Sequence, residues 1–124
     1  MARSMERKSV VLVVEDNALL RLDAVDMVEA AGFTCLAAAN AAEAIEILES
    51  RMDIRIVFTD VDMPGSMDGM RLAACIRDRW PPIEIIVTSG YISGNQVELP
   101  TRGLYFAKPY DQRQIVAAMH SLTA

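Results

Sequence analysis

Val10-Val11-Leu12-Val13-Val14-Glu15-Asp16-Asn17 is the stretch that decides the fold. A continuous apolar run rich in β-branched residues reads as a strand buried on both faces, and the polar residues after it read as a loop that opens a helix. In that helix Leu20, Ala24, Met27, Val28 and Ala31 recur at helical spacing, Arg21, Asp26 and Glu29 face elsewhere, and Gly32 supplies a stop. The unit then repeats. Thr34 to Ala38 is a short strand, Asn40 with Glu43 is a capping signal, and Ala41, Ala44, Ile45 and Leu48 form the next core stripe. Ile54 to Thr59 is a third strand. It ends in Asp60-Val61-Asp62-Met63-Pro64-Gly65-Ser66-Met67-Asp68-Gly69, where Pro and Gly forbid regular structure until Leu72, Ile76 and Trp80 resume helical spacing.

Ile85 to Val87 makes a fourth strand that ends in Thr88-Ser89-Gly90-Tyr91, and Leu104 to Ala107 makes a fifth, followed by Lys108-Pro109. The last helix carries Ile115, Ala118, Met119 and Leu122 on one face, with Asp111 and Gln114 set to box its start. Between Tyr91 and Gly103 the residues Gly94, Asn95 and Pro100 weaken the pattern, so the fourth helix is expected to be short or irregular. Alternating strands and helices without a hairpin signal call for a parallel sheet covered on both faces by right-handed crossovers, a three-layer α/β sandwich. In such sheets ligands bind at the carboxyl ends of the strands.

The 124 residues suit one domain, read as 10–124, behind a flexible tail over 1–9. With 52% hydrophobic and 23% charged residues, the chain has material for a core and too little charge for disorder. Seventeen acidic against 12 basic residues, a net charge of −5, repel nucleic acid. Cys35 and Cys75 sit in apolar runs and read as small core hydrophobes in a reducing compartment. No apolar run approaches the roughly 20 residues of a membrane helix, and Met1 to Ser9 lacks a signal-peptide core. A cytoplasmic protein is expected.

Glu15 and Asp16 follow strand one, Asp60 and Asp62 follow strand three, Ser89 closes strand four and Lys108 closes strand five, so all are expected on one rim. Acids gathered from separate strand ends either take up protons or hold a cation. Mg²⁺ fits, because it accepts a few carboxylates and leaves a position for a phosphoryl oxygen. One carboxylate, Asp60, then serves as nucleophile toward phosphorus, with Lys108 and Ser89 stabilising the transferred oxygens. The sequence carries no Ser/His/Asp set, Gly-rich phosphate loop or Cys/His metal spacing. His120 lacks the acidic neighbour of a phosphodonor and reads as a surface residue.

Together, Glu15-Asp16, Asp60-Val61-Asp62-Met63-Pro64, the hydroxyl residue ending strand four and Lys108-Pro109 resemble a response-regulator receiver domain, from Val10 to about Leu122. The resemblance implies the flavodoxin-like strand order 2-1-3-4-5 and phosphorylation of Asp60 by a sensor histidine kinase or a histidine phosphotransfer protein. It implies Mg²⁺ held by Asp16, Asp60 and the Asp62 carbonyl, with Glu15 acting through water. Lys108 would pair with the phosphoryl group, Ser89 would donate the switching hydrogen bond and Tyr105 would be the aromatic switch. Ser89 is preferred to Thr88 because Gly90 after it lets backbone approach the phosphate. Asp62 and Tyr91, each two positions past a site residue, resemble gatekeepers of phosphoryl lifetime. The loop from Pro64 to Gly69 holds one residue more than the commonest family pattern, and the weak fourth helix departs from it as well.

A phosphorylation-switched module without an output domain is therefore expected, acting by contact with an unidentified downstream protein. A phosphate shuttle or sink is the alternative. A flavin carrier would need a glycine- and hydroxyl-rich first loop where Glu15-Asp16 stands, and an aspartate-nucleophile phosphatase would need a cap structure that this chain lacks.

Overall fold

The computed structural model describes residues 8–62, 69–90 and 99–124. Its elements run β1 (Val10–Val14), α1 (Ala18–Ala30), β2 (Thr34–Ala38), α2 (Ala41–Ser50), β3 (Ile54–Asp60), α3 (Gly69–Arg79), β4 (Glu84–Ser89), β5 (Leu104–Ala107) and α4 (Gln112–Leu122). All strand pairs are parallel, in the order β2-β1-β3-β4-β5, as expected. The expected short fourth helix, Tyr91, the Met63 to Asp68 loop and most of the 1–9 tail lie outside the described residues. Among the described residues no helix is long and apolar enough to cross a membrane.

Strand alternation splits the interior into two layers. Val10, Leu12, Val14, Val57, Ile85 and Val87 pack against Leu48 of α2 and Leu72 and Ile76 of α3. Val11, Val13, Ile56, Phe58 and Ile86 pack against Ala24, Met27 and Val28 of α1 and Ile115 and Met119 of α4. Each fully buried Leu or Ile contributes roughly 1.5–3 kcal/mol over an exposed one, so two filled layers supply the main drive for folding. Because β1, β3 and β4 are covered on both sides, their sequences read as apolar runs rather than alternations.

One irregularity sets which side chains meet. Val10 pairs with Ile54, but Val11 pairs with Ile56, so Arg55 is an extra residue in β3. The bulge resets the alternation: Ile54 faces α2 and α3, whereas Ile56 and Phe58 face α1 and α4. Asp60 continues the Ile56 and Phe58 series, in register with Thr88.

The helices start largely as read. Asn17 caps α1 by accepting from Leu19 and Leu20 N–H, each at 3.0 Å. Asn40 accepts from Glu43 N–H at 2.9 Å while the Glu43 carboxylate reaches back to Ala39 N–H at 2.8 Å, a reciprocal box. Gly32 ends α1 with φ at 98°, a left-handed conformation suited to glycine. Four expectations change. Leu20 is 45% exposed rather than core, because in the first turn of α1 it lines the open cavity at the strand ends beside Val14 and Lys108. The two cysteines are half-buried thiols rather than fully buried ones. Asp111 caps α4 through Arg113 N–H at 2.9 Å and pairs with the Arg113 guanidinium, so no box forms with Gln114. Trp80 lies just past α3, half-buried, with the Arg79 guanidinium 4.4 Å from its ring centre.

Gly69 opens α3 directly on the end of β3. A Cβ there would collide with the Asp60 carbonyl oxygen and Val61 Cα, both backbone atoms that cannot swing aside. Gly69→Ala is therefore expected to lift α3 off β3 and cost about 1–3 kcal/mol, as overpacking does. A urea melt checks this, and an unchanged midpoint would show that the helix start gives way freely.

Candidate functional site

The carboxyl ends of β1, β3, β4 and β5 meet on one rim, held by main-chain bonds that extend the ladder past the strands. Glu15 N–H donates to Ala38 O at 3.0 Å, Val61 N–H to Thr88 O at 2.9 Å and Lys108 N–H to Ser89 O at 2.9 Å. This fixed backbone brings one carboxylate oxygen each from Glu15, Asp16 and Asp60 within 4.8 Å of one another. Glu15 is further aligned by Asn17 N–H, which donates to its Oε2 at 3.0 Å, and Arg21 Nη1 donates to the Glu15 carbonyl at 3.0 Å.

Asp60 is 4% exposed. Lys108 Nζ donates to its Oδ2 at 2.6 Å, and Asp62 N–H donates to its Oδ1 at 2.8 Å. Lys108 also lies 3.7 Å from Glu15 Oε1. Burial works to lower the lysine, but the bond to Asp60 and the charges of Asp60, Glu15 and Asp62 hold it above the usual lysine range. Burial pushes the Glu15 carboxyl up to about 7; the Asp60 charge adds to this, while the Asn17 N–H and Lys108 oppose it. Two like charges at such separations repel by about 3 kcal/mol at an effective dielectric near 20. Three carboxylates against one ammonium leave an excess of negative charge at the rim. An all-oxygen donor set of this kind fits a hard divalent cation such as Mg²⁺, whose charge would offset that excess.

The two hydroxyls at the end of β4 part company. Thr88, in register with Asp60, faces a cavity of about 350 Å³ also lined by Val13, Ala24, Phe58, Lys108 and Tyr110, and its buried Oγ1 has no hydrogen-bond partner among the described residues. Ser89 faces the other way, and its hydroxyl meets the Asp62 carboxylate at 2.9 Å. Tyr105 pairs in register with Val87 and packs, half-buried, on the layer toward α2 and α3, which is the face of Ser89. Phe106 packs on the opposite layer, as expected, and His120 is exposed, stacked against the Phe33 ring at 4.9 Å.

The structure thus gathers Glu15, Asp16, Asp60 and Lys108 at one point and sets Ser89 and Tyr105 on one side of the sheet. Tyr91 lies outside the described residues. The sequence reading missed three contacts. Gly69 seats α3 against the Asp60 main chain, Arg21 ties down the Glu15 carbonyl, and the Asp62 side chain bonds to the end of β4. A glycine opening a helix was the available signal for the first; the other two depend on tertiary placement.

Comparison with known proteins adds a lineage to this geometry. The response regulator receiver domain family matches residues 11–120. Among curated proteins, the chain is 30% identical over 125 residues to the sensor kinase CckA of Brucella abortus, covering 98% of this chain and 13% of that protein. It is 33% identical over 117 residues to the response regulator protein FleR of Pseudomonas aeruginosa, covering 90% of this chain and 24% of that protein. The chain spans under a quarter of the length of these relatives. A response regulator receiver protein from Sinorhizobium medicae has a TM-score of 0.84 at 29% identity, with 95% of each chain covered. The receiver domain of the hybrid histidine kinase CckA has a TM-score of 0.78 at 28% identity, covering 93% of this chain and 99% of that one. The match runs from β1 into α4 and takes in every strand end that builds the acidic rim, so the chain belongs to the response regulator receiver domain family.

Proposed function

We propose that Asp60 accepts a phosphoryl group from the phosphohistidine of a sensor kinase or phosphotransfer protein. The observation that carries this reading is the buried Asp60 carboxylate, tied to Lys108 at 2.6 Å and set among Glu15 and Asp16. An Asp60 carboxylate oxygen attacks phosphorus in line, the new O–P bond forms as the N–P bond to imidazole breaks, and the imidazole leaves with the bonding pair and takes up a proton. Asp16 and Asp60, with the Asp62 carbonyl and Glu15 through water, would hold Mg²⁺, which supplies positive charge beside the incoming phosphoryl oxygens. Lys108 gives the transferred group an ammonium in place of the Asp60 carboxylate it holds now.

The new group carries a charge near −1.5 to −2 and draws donors toward itself, so the reading makes Ser89 the switching hydroxyl and Tyr105 the residue that follows it. Their common face supports this pairing, as does the opposite orientation of Thr88. The phosphodonor chemistry implies action in the cytoplasm and output through a protein contact. Return of the phosphate to a phosphotransfer histidine would mark a shuttle or sink.

Asp60→Asn is expected to abolish labelling by a radiolabelled phosphohistidine donor, and chelation of divalent cations is expected to abolish it in the native protein. Undiminished labelling of the variant would overturn the assignment. Lys108→Ala should slow transfer by about 10²–10³-fold, the usual loss for one oxyanion-stabilising donor, while leaving Mg²⁺ affinity largely intact. A Mg²⁺ titration followed by calorimetry separates the two effects. Ser89→Ala should remove the phosphorylation-dependent change in Tyr105 resonances and Thr88→Ala should keep it; the reverse result would move the switch to Thr88.

A further inference from the structure

Asp62 stands outside the carboxylate cluster, and its side chain is already engaged. Ser89 Oγ lies 2.9 Å from Oδ1 and 3.1 Å from Oδ2, and Gly90 N–H donates to Oδ2 at 2.7 Å. A hydroxyl and a main-chain N–H converging on one anion form an oxyanion receptor of charge-assisted bonds. The receptor is fixed in place, because the Ser89 and Thr88 carbonyls accept the ladder bonds from Lys108 and Val61. Asp62 also donates its own N–H to Asp60 Oδ1 at 2.8 Å. A single residue therefore bridges the carboxylate read as phosphoacceptor and the hydroxyl read as switch.

We infer that the Asp62 carboxylate is an internal stand-in anion, occupying in the resting protein the Ser89 and Gly90 receptor that an oxygen of a phosphoryl group on Asp60 would take. The inference rests on Asp60 being the phosphoacceptor. Phosphorylation then exchanges one anion for another: the Asp62 side chain must swing out before the phosphoryl oxygen can bond to Ser89. The Ser89 hydroxyl is drawn toward the β3 loop before any transfer, and Asp62 makes Ser89 harder for the phosphoryl group to capture. Simple repulsion between Asp62 and a phosphoryl group would also oppose phosphorylation, but it would act whether or not Ser89 carries a hydroxyl.

The test is a double-mutant cycle on Asp62→Ala and Ser89→Ala, read as the affinity for beryllium trifluoride, a phosphoryl-sized anion that adds to carboxylates, at saturating Mg²⁺. Asp62→Ala keeps the main-chain N–H and carbonyl of that position. It is expected to tighten the adduct about tenfold in the Ser89 background and about threefold or less in the Ser89→Ala background. Equal gains in both backgrounds would reduce Asp62 to a repelling charge and overturn the inference, as would unchanged or weaker affinity in Asp62→Ala. An adduct on Asp60 with no coupling in the cycle overturns the stand-in role alone. Beryllium trifluoride binding that persists unchanged in Asp60→Asn overturns the phosphoacceptor reading, and this inference with it.

Discussion

Crowding of like charge on a rigid rim is the constraint to which the rest of this structure answers. Oxygens of Glu15, Asp16 and Asp60 are held within 4.8 Å by two adjacent strand ends that cannot spread, because their backbones are locked in a parallel ladder. Lys108 offsets one of these charges and is itself partly withdrawn from water to do so. Breaking a buried pair of this kind leaves a charge whose uncompensated burial costs several kcal/mol. The ion pair therefore belongs to the stability of the strand ends as much as to chemistry. The apolar layers on either side of β1, β3 and β4 are what allow the rim to carry so unfavourable a charge arrangement.

Much of the fold was legible because its central strands are buried on both faces. Val10–Val14 and the run from Ile54 show no alternation, and each leads into a loop and a helix, a pattern few architectures share. The edges were harder to read. β4 continues through Thr88 and Ser89, whose polar side chains mask strand character although both are buried. In α1 the apolar spacing extended the core stripe to Leu20, but Leu19 and Leu22 are also exposed, so periodicity alone could not mark where the sheet stops covering the helix. The Asp111 cap failed as a box for a local reason: the Arg113 guanidinium competes for the same carboxylate.

The candidate site was legible in its members and less so in its wiring. That Asp60, Glu15, Asp16 and Lys108 would share a rim followed from each standing at a strand's end, and the structure places them together. The choice between Thr88 and Ser89 depends on which face each presents, which register fixes and spacing does not. Asp62 was named for its carbonyl and as a gatekeeper of phosphoryl lifetime, without a partner for its side chain. Its carboxylate bonds reach across 27 and 28 positions of the chain, so only the folded backbone could bring the partners together.

The bulge in β3 shows where this strand keeps its phase. Arg55 is exposed, near the start of the strand and at the opposite end from the acidic rim. Ile54 and Ile56 already pair with the consecutive residues Val10 and Val11, and partners in register share a face, so a strand without Arg55 would alternate regularly and leave Phe58 and Asp60 on the sides they hold now. The extra residue is accommodated as a local kink, upstream of every side chain on which the rim depends. The phase of Asp60 is thus kept by pairing with the neighbouring strands and not by counting from the start of β3, and a change of length at position 55 is absorbed where it occurs.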